Sequence, residues 1–159
     1  MVKKIREIYT KALLAKGENR MLKNYEVKLN HPHHAILGCW ITNHTMHALL
    51  DKDQGTIDGS FDMHLWYSYD EIKSEVLVIY CNYKMGVDLV WIDLQKTSQT
   101  EEILCVCLDE PKCKDVKIRS EDQIEVSVEW ENELRVLGQT SIKIELQDNL
   151  DDIDTEFIK

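Results

Sequence analysis

Two spacings of apolar residues run along this chain. Over residues 3–16, Ile5, Ile8, Tyr9, Ala12 and Leu13 recur at intervals of three and four, the stripe of an amphipathic helix. Gly17 stands where such a helix would end. Beyond it the period falls to two. Across residues 56–69, Ile57, Gly59, Phe61, Met63, Leu65, Tyr67 and Tyr69 share one face of a strand, while Asp58, Asp62, His64 and Trp66 take the other. Ile124, Val126, Val128 and Trp130 alternate with Glu125, Ser127 and Glu129. Leu134, Val136, Ile142, Ile144 and Leu146 continue the alternation around Gly138, a position suited to a bulge or a close approach.

Other stretches are apolar on both faces. Residues 75–83 and 87–94 read as central strands with a turn at Lys84, Met85 and Gly86, and residues 103–108 form a third closed by Glu110 and Pro111. With shorter strands at residues 25–29, 36–42 and 116–119, the pattern predicts a mainly β fold. This is an antiparallel β-sandwich or flattened barrel of about nine strands. The expected organisation is an N-terminal helix (1–17), a β-sandwich domain (18–147) and an acidic C-terminal tail (148–159). In the tail, Asp148, Asp151, Asp152, Asp154, Glu156 and Phe157 mark either a solvated end or a partner-binding peptide.

Charge narrows the possible partners. The 159 residues carry 19 basic against 29 acidic side chains, a formal charge of −10. That balance argues against a phosphate-binding surface for nucleic acid or anionic lipid, which needs clustered Lys and Arg. The uncharged run over residues 31–50 contains Pro32 and several histidines, so no direct membrane insertion is expected. The first residues lack the apolar core of a secretory signal, which points to a cytosolic protein.

No nucleotide-binding, nucleophile-elbow or zinc-protease motif occurs, so no catalytic, cofactor or metal residues are assigned. His44 and His47 would share a face only on a helix. Among the five cysteines, Cys105, Cys107 and Cys113 cluster, but zinc spacing lacks its second pair. These thiols read as buried, or with Cys81 as candidates for later intermolecular disulfides. Trp40 and Trp91 fall in apolar strands and read as core. Trp66 lies on the wetter face, where it suits a sugar ring, a protein interface or a covered sheet edge.

Several stretches resemble the outer spore coat morphogenetic protein CotE family of endospore-forming bacteria. They are residues 11–17 (K-A-L-L-A-K-G), 36–44 (I-L-G-C-W-I-T-N-H), 59–69 (G-S-F-D-M-H-L-W-Y-S-Y), Pro111-Lys112-Cys113, and 133–138 (E-L-R-V-L-G). They keep their order and span nearly the whole chain. The resemblance implies a non-enzymatic scaffold that self-assembles in the mother-cell cytoplasm into the outer spore coat and recruits other coat proteins. Ile5, Ile8, Ala12, Leu13 and Trp66 are then the candidate self-assembly residues, as a homo-oligomer or lattice. The alternative reading is a carbohydrate-binding β-sandwich module built on Trp66 and its neighbouring aromatics.

Overall fold

The computed structural model describes residues 4–52, 54–92 and 102–146. Its strands are β1 (Lys4–Lys28), β2 (Ala35–Asp51), β3 (Gln54–Tyr69), β4 (Lys73–Val87), β5 (Val90–Trp91), β6 (Glu102–Ile118) and β7 (Gln123–Leu146). They form a four-stranded antiparallel sheet in the order β5-β1-β7-β6 and a three-stranded antiparallel sheet in the order β2-β3-β4.

The alternation read along the chain sets the faces. Ile57, Phe61, Met63, Leu65 and Tyr67 of β3 are buried against Ile124, Val126, Val128 and Trp130 of β7, each at most 1% exposed. Cys81, Tyr83, Met85 and Val87 of β4 complete the interior, with Val27 and Leu29 closing one end. Aromatic rings knit the middle. Trp130 lies 4.5 Å from Tyr83 and 5.6 Å from Phe61, measured between ring centroids. Contacts of this kind add roughly 0.5–1.5 kcal/mol each beyond the area they bury.

The expected N-terminal helix is absent. Residues 4–28 are one strand, paired with β7 from Lys4↔Leu146 to Lys28↔Gln123. A lone helix of some 14 residues is marginal in water, whereas a partner strand of equal length satisfies every other main-chain group of β1. Its helical stripe divides in the strand: Ile8 and Ala12 share one face, Ile5, Tyr9 and Leu13 the other. Gly17, expected as a helix stop, is a point of close approach. A Cβ there would collide with the Asp88 carbonyl and the Val87 side chain.

Among the described residues, seven strands replace the expected nine, because several expected turns lie inside long strands. Lys84, Met85 and Gly86 belong to β4, and Glu110 and Pro111 belong to β6. The chain bends at bulges instead of turning. They occur at Leu13/Ala15 in β1, at Ile36/Gly38 and Thr42/Thr45 in β2, and at Cys107/Asp109, Asp109/Lys112 and Cys113/Asp115 in β6. Each inserted residue reverses the facing of the side chains beyond it. Trp40, expected in the core, is 42% exposed on the outer face of the three-stranded sheet. The bulge at Ile36/Gly38 accompanies that placement.

Candidate functional site: an exposed aromatic face and a seam of thiols

Part of the outer face of the three-stranded sheet carries a cluster of exposed aromatic and aliphatic side chains. Two cross-strand rows run over it, Trp40–His64–Val78 and Gly38–Trp66–Val76, alongside a third, Thr42–Asp62–Tyr80. Trp40 stacks on His64, 5.3 Å between centroids and 4° between planes. His64 Nε2 and Thr42 Oγ1 are hydrogen-bonded at 2.8 Å, which holds the imidazole flat beneath the indole. Trp40, Trp66, Val76, Val78 and Tyr80 are all exposed. Exposed apolar side chains that lie side by side, unlike ones scattered singly, mark an interaction surface.

Strand β4 borders that face, and among the described residues it pairs only with β3. Its pairing runs from Gly55↔Val87 to Tyr69↔Lys73 without a register break. The carbonyls of Asn82 and Gly86 point away from β3 and accept side chains of β1: Lys23 Nζ (3.3 Å), Tyr25 Oη (3.5 Å) and Asn19 Nδ2 (2.9 Å). Main-chain groups alternate in direction along a strand. The N–H and C=O groups of Val76, Val78 and Tyr80 therefore point the same way. Ser74, Val76, Val78 and Tyr80 give that stretch an outer face without charge, bulge or proline, the devices that normally keep an edge from pairing.

A second exposed region lies where β1 and β7 run past the sandwich. Ile8 pairs with Ile142 and Arg6 with Ile144 on one side of this ribbon, with Ile5 and Tyr9 on the other. Ile5, Ile8, Tyr9, Ile142 and Ile144 are exposed, while Ala12 and Leu13 are half-buried at its base. Ile5 and Ile8 thus share one ribbon, whereas Trp66 sits on the separate aromatic face. The acidic tail residues Asp148, Asp151, Asp152, Asp154, Glu156 and Phe157 lie outside the described residues.

The thiols gather elsewhere. Strands β2 and β6 belong to different sheets but face each other along one seam. Cys39 and Cys113 share a hydrogen bond across it, which holds the Cys113 thiol below its ordinary value and pushes that of Cys39 up. Cys105 Sγ lies 3.6 Å from Met46 Sδ. Cys107 Sγ lies 3.9 Å from His44 Nδ1, its thiol pushed up to about 12 by burial and by Glu110. Cys81 is 2% exposed on the β4 side of the core. All five cysteines are free.

Sequence spacing did not bring out the group at the middle of the seam. His44, expected just past a strand end, sits inside β2 at its second bulge, beside Asn43 at φ 56°. Its side chain is 6% exposed. Nδ1 faces Glu110 Oε2 at 3.2 Å and Nε2 faces Tyr83 Oη at 2.6 Å. Nothing in the spacing of residues 44, 83, 107 and 110 signals this grouping, because bulges in two different sheets create it.

A family model described as outer spore coat protein E (CotE) matches residues 4–159 of the chain. The chain matches no curated protein and no solved structure.

Proposed function

The chain belongs to the outer spore coat protein E family, and from that premise we propose that it is a non-enzymatic scaffold. In this reading it self-associates in the mother-cell cytoplasm and gathers other proteins into the outer coat. The observation that supports the reading is the aromatic cluster on the outer face of the three-stranded sheet beside the 74–80 stretch of β4, which among the described residues pairs only with β3. Strand addition at such an edge supplies main-chain hydrogen bonds. The alternate side chains Val76, Val78 and Tyr80 then supply the apolar contact. The ribbon of Ile5, Ile8, Ile142 and Ile144 is a second surface on the same subunit. Two unlike surfaces permit head-to-tail contacts, which extend into rings or open lattices where a single self-complementary patch stops at a dimer.

Light scattering of the reduced protein across a concentration series tests this. The expected wild-type species is many times the mass of one chain. Val78→Lys places a charge on the β4 edge without touching the core, and is expected to reduce the mass while leaving the circular dichroism of the fold unchanged. An Ile8→Asp, Ile142→Asp variant reports on the ribbon in the same way. Wild-type mass for both variants would remove these surfaces from the assembly. A monomeric wild type at every concentration would overturn self-association under reducing conditions.

A further inference from the structure

We propose that His44, Cys107 and Glu110 form a three-ligand site for a divalent transition-metal cation of the zinc type, at the seam where β2 meets β6. One donor atom from each lies within 4.8 Å of the other two. The set is an imidazole nitrogen, a sulfur and a carboxylate oxygen, the three donor classes that zinc takes. Three protein ligands leave a fourth position, and Glu110, whose side chain is 69% exposed, opens it to solvent.

The local backbone is built around the group. His44 falls within the bulge at Thr42/Thr45, and Cys107 and Glu110 flank Asp109 within two successive bulges of β6. Regular strands would send these side chains to alternating faces. The bulges turn all three toward one point. Asp109, which lies between Cys107 and Glu110 in sequence, is engaged by Arg20 (3.7 Å) and Lys112 (3.4 Å).

A buried polar chain stands behind the imidazole. Metal-bound histidine characteristically uses its second ring nitrogen to hold an outer partner, which fixes the ring and its tautomer. Here that partner is Tyr83 Oη, which also meets Asn132 Nδ2 at 3.0 Å. Asn132 is fully buried, and its Oδ1 has no hydrogen-bond partner among the described residues. Exchanging the amide's oxygen and nitrogen, which have nearly the same shape, lets Tyr83 donate its proton to Asn132. The phenol oxygen then accepts Nε2–H of His44, and the bare Nδ1 lone pair faces Cys107 and Glu110. In that arrangement Tyr83 is a positioning residue, and Asn132 Nδ2 gives up its contacts with Tyr83 Oη and Met85 Sδ.

The test is titration of the reduced full-length protein with cobalt(II), which reports a bound thiolate by a charge-transfer band in the near ultraviolet. The expected result is saturation at one ion per chain, with the spectrum bleached by added zinc. Cys107→Ser removes the thiolate band, whereas a Cys39→Ser, Cys113→Ser double variant keeps it. Glu110→Gln, at an exposed side chain that folding does not require, weakens binding by at least roughly tenfold. Tyr83→Phe keeps the thiolate band and weakens binding by roughly 10–100-fold. Absence of saturable binding would overturn the site, as would a thiolate band that survives Cys107→Ser or depends on Cys39 and Cys113. Cobalt binding is read on the chain itself, so its failure is separate from any failure to self-associate.

Discussion

Gly59 faces Tyr83 directly across β3 and β4, and the phenol ring lies over it where a side chain would otherwise stand. A Cβ built at Gly59 would collide with Cζ, Oη and Cε1 of that ring. The ring has little room to yield. Tyr83 is 4% exposed, packs on Trp130, Phe61 and His44, and bonds His44 and Asn132 through its hydroxyl. Gly59→Ala therefore sets a collision against a gain. Overpacking a dense interior costs about 1–3 kcal/mol, and displacing the hydroxyl weakens two hydrogen bonds worth about 1 kcal/mol each. Replacing glycine within a strand returns about 0.5–1 kcal/mol of backbone entropy. The net expectation is a loss of about 2 kcal/mol. Gly86→Ala isolates the gain, because nothing lies within 4 Å of a Cβ at that position; it is expected to be neutral or slightly stabilising. Urea unfolding of both variants, at one low protein concentration because association shifts apparent stability, gives the comparison. Pairing Gly59→Ala with Tyr83→Ala in a double-mutant cycle assigns the loss to the ring. A Gly59→Ala protein as stable as wild type would refute the argument that Tyr83 is pinned.

Three further outcomes rest on particular contacts. Arg20 and Lys114 hold the Glu129 carboxyl below the ordinary glutamate value. A group whose folded value is depressed contributes stability above its unfolded value and loses it as pH falls through the folded one. An NMR titration is therefore expected to place the Glu129 midpoint below that of free glutamate, with Arg20→Gln raising it; an unchanged midpoint in the variant would remove Arg20 as the cause. Mild oxidation with oxidised glutathione is expected to join Cys39 to Cys113 within one chain, each bridge reducing one glutathione disulfide. Peptide mass spectrometry that found only links between chains would refute this pairing. Deleting residues 1–16 is expected to unfold the protein, because Leu14 and Ala15 are buried in β1, whereas Ile8→Asp is expected to leave its thermal midpoint within a few degrees of wild type.

The residues by themselves determined the mainly β class, the buried faces of β3 and β7, the exposure of Trp66 and the family. Each rests on local pattern: strict alternation fixes which side of a strand is apolar wherever no residue is inserted, and motif order survives along a chain whatever its fold. The tertiary structure decided the rest. The stripe of Ile5, Ile8, Ala12 and Leu13 has helical spacing, yet β7 lies alongside and satisfies the same backbone as a strand, and no local signal announces a partner so distant along the chain. Gly17, Gly86 and Pro111 look like chain breaks. Gly17 and Pro111 instead mark a close approach and a bulge, and Gly86 lies inside β4, so among the described residues several expected short strands merged into fewer, longer ones. Those bulges reverse the facing of everything beyond them, which is why Trp40 came to the surface. They also brought His44, Cys107 and Glu110 to one point across two sheets, a meeting that only the packing of β2 against β6 produces.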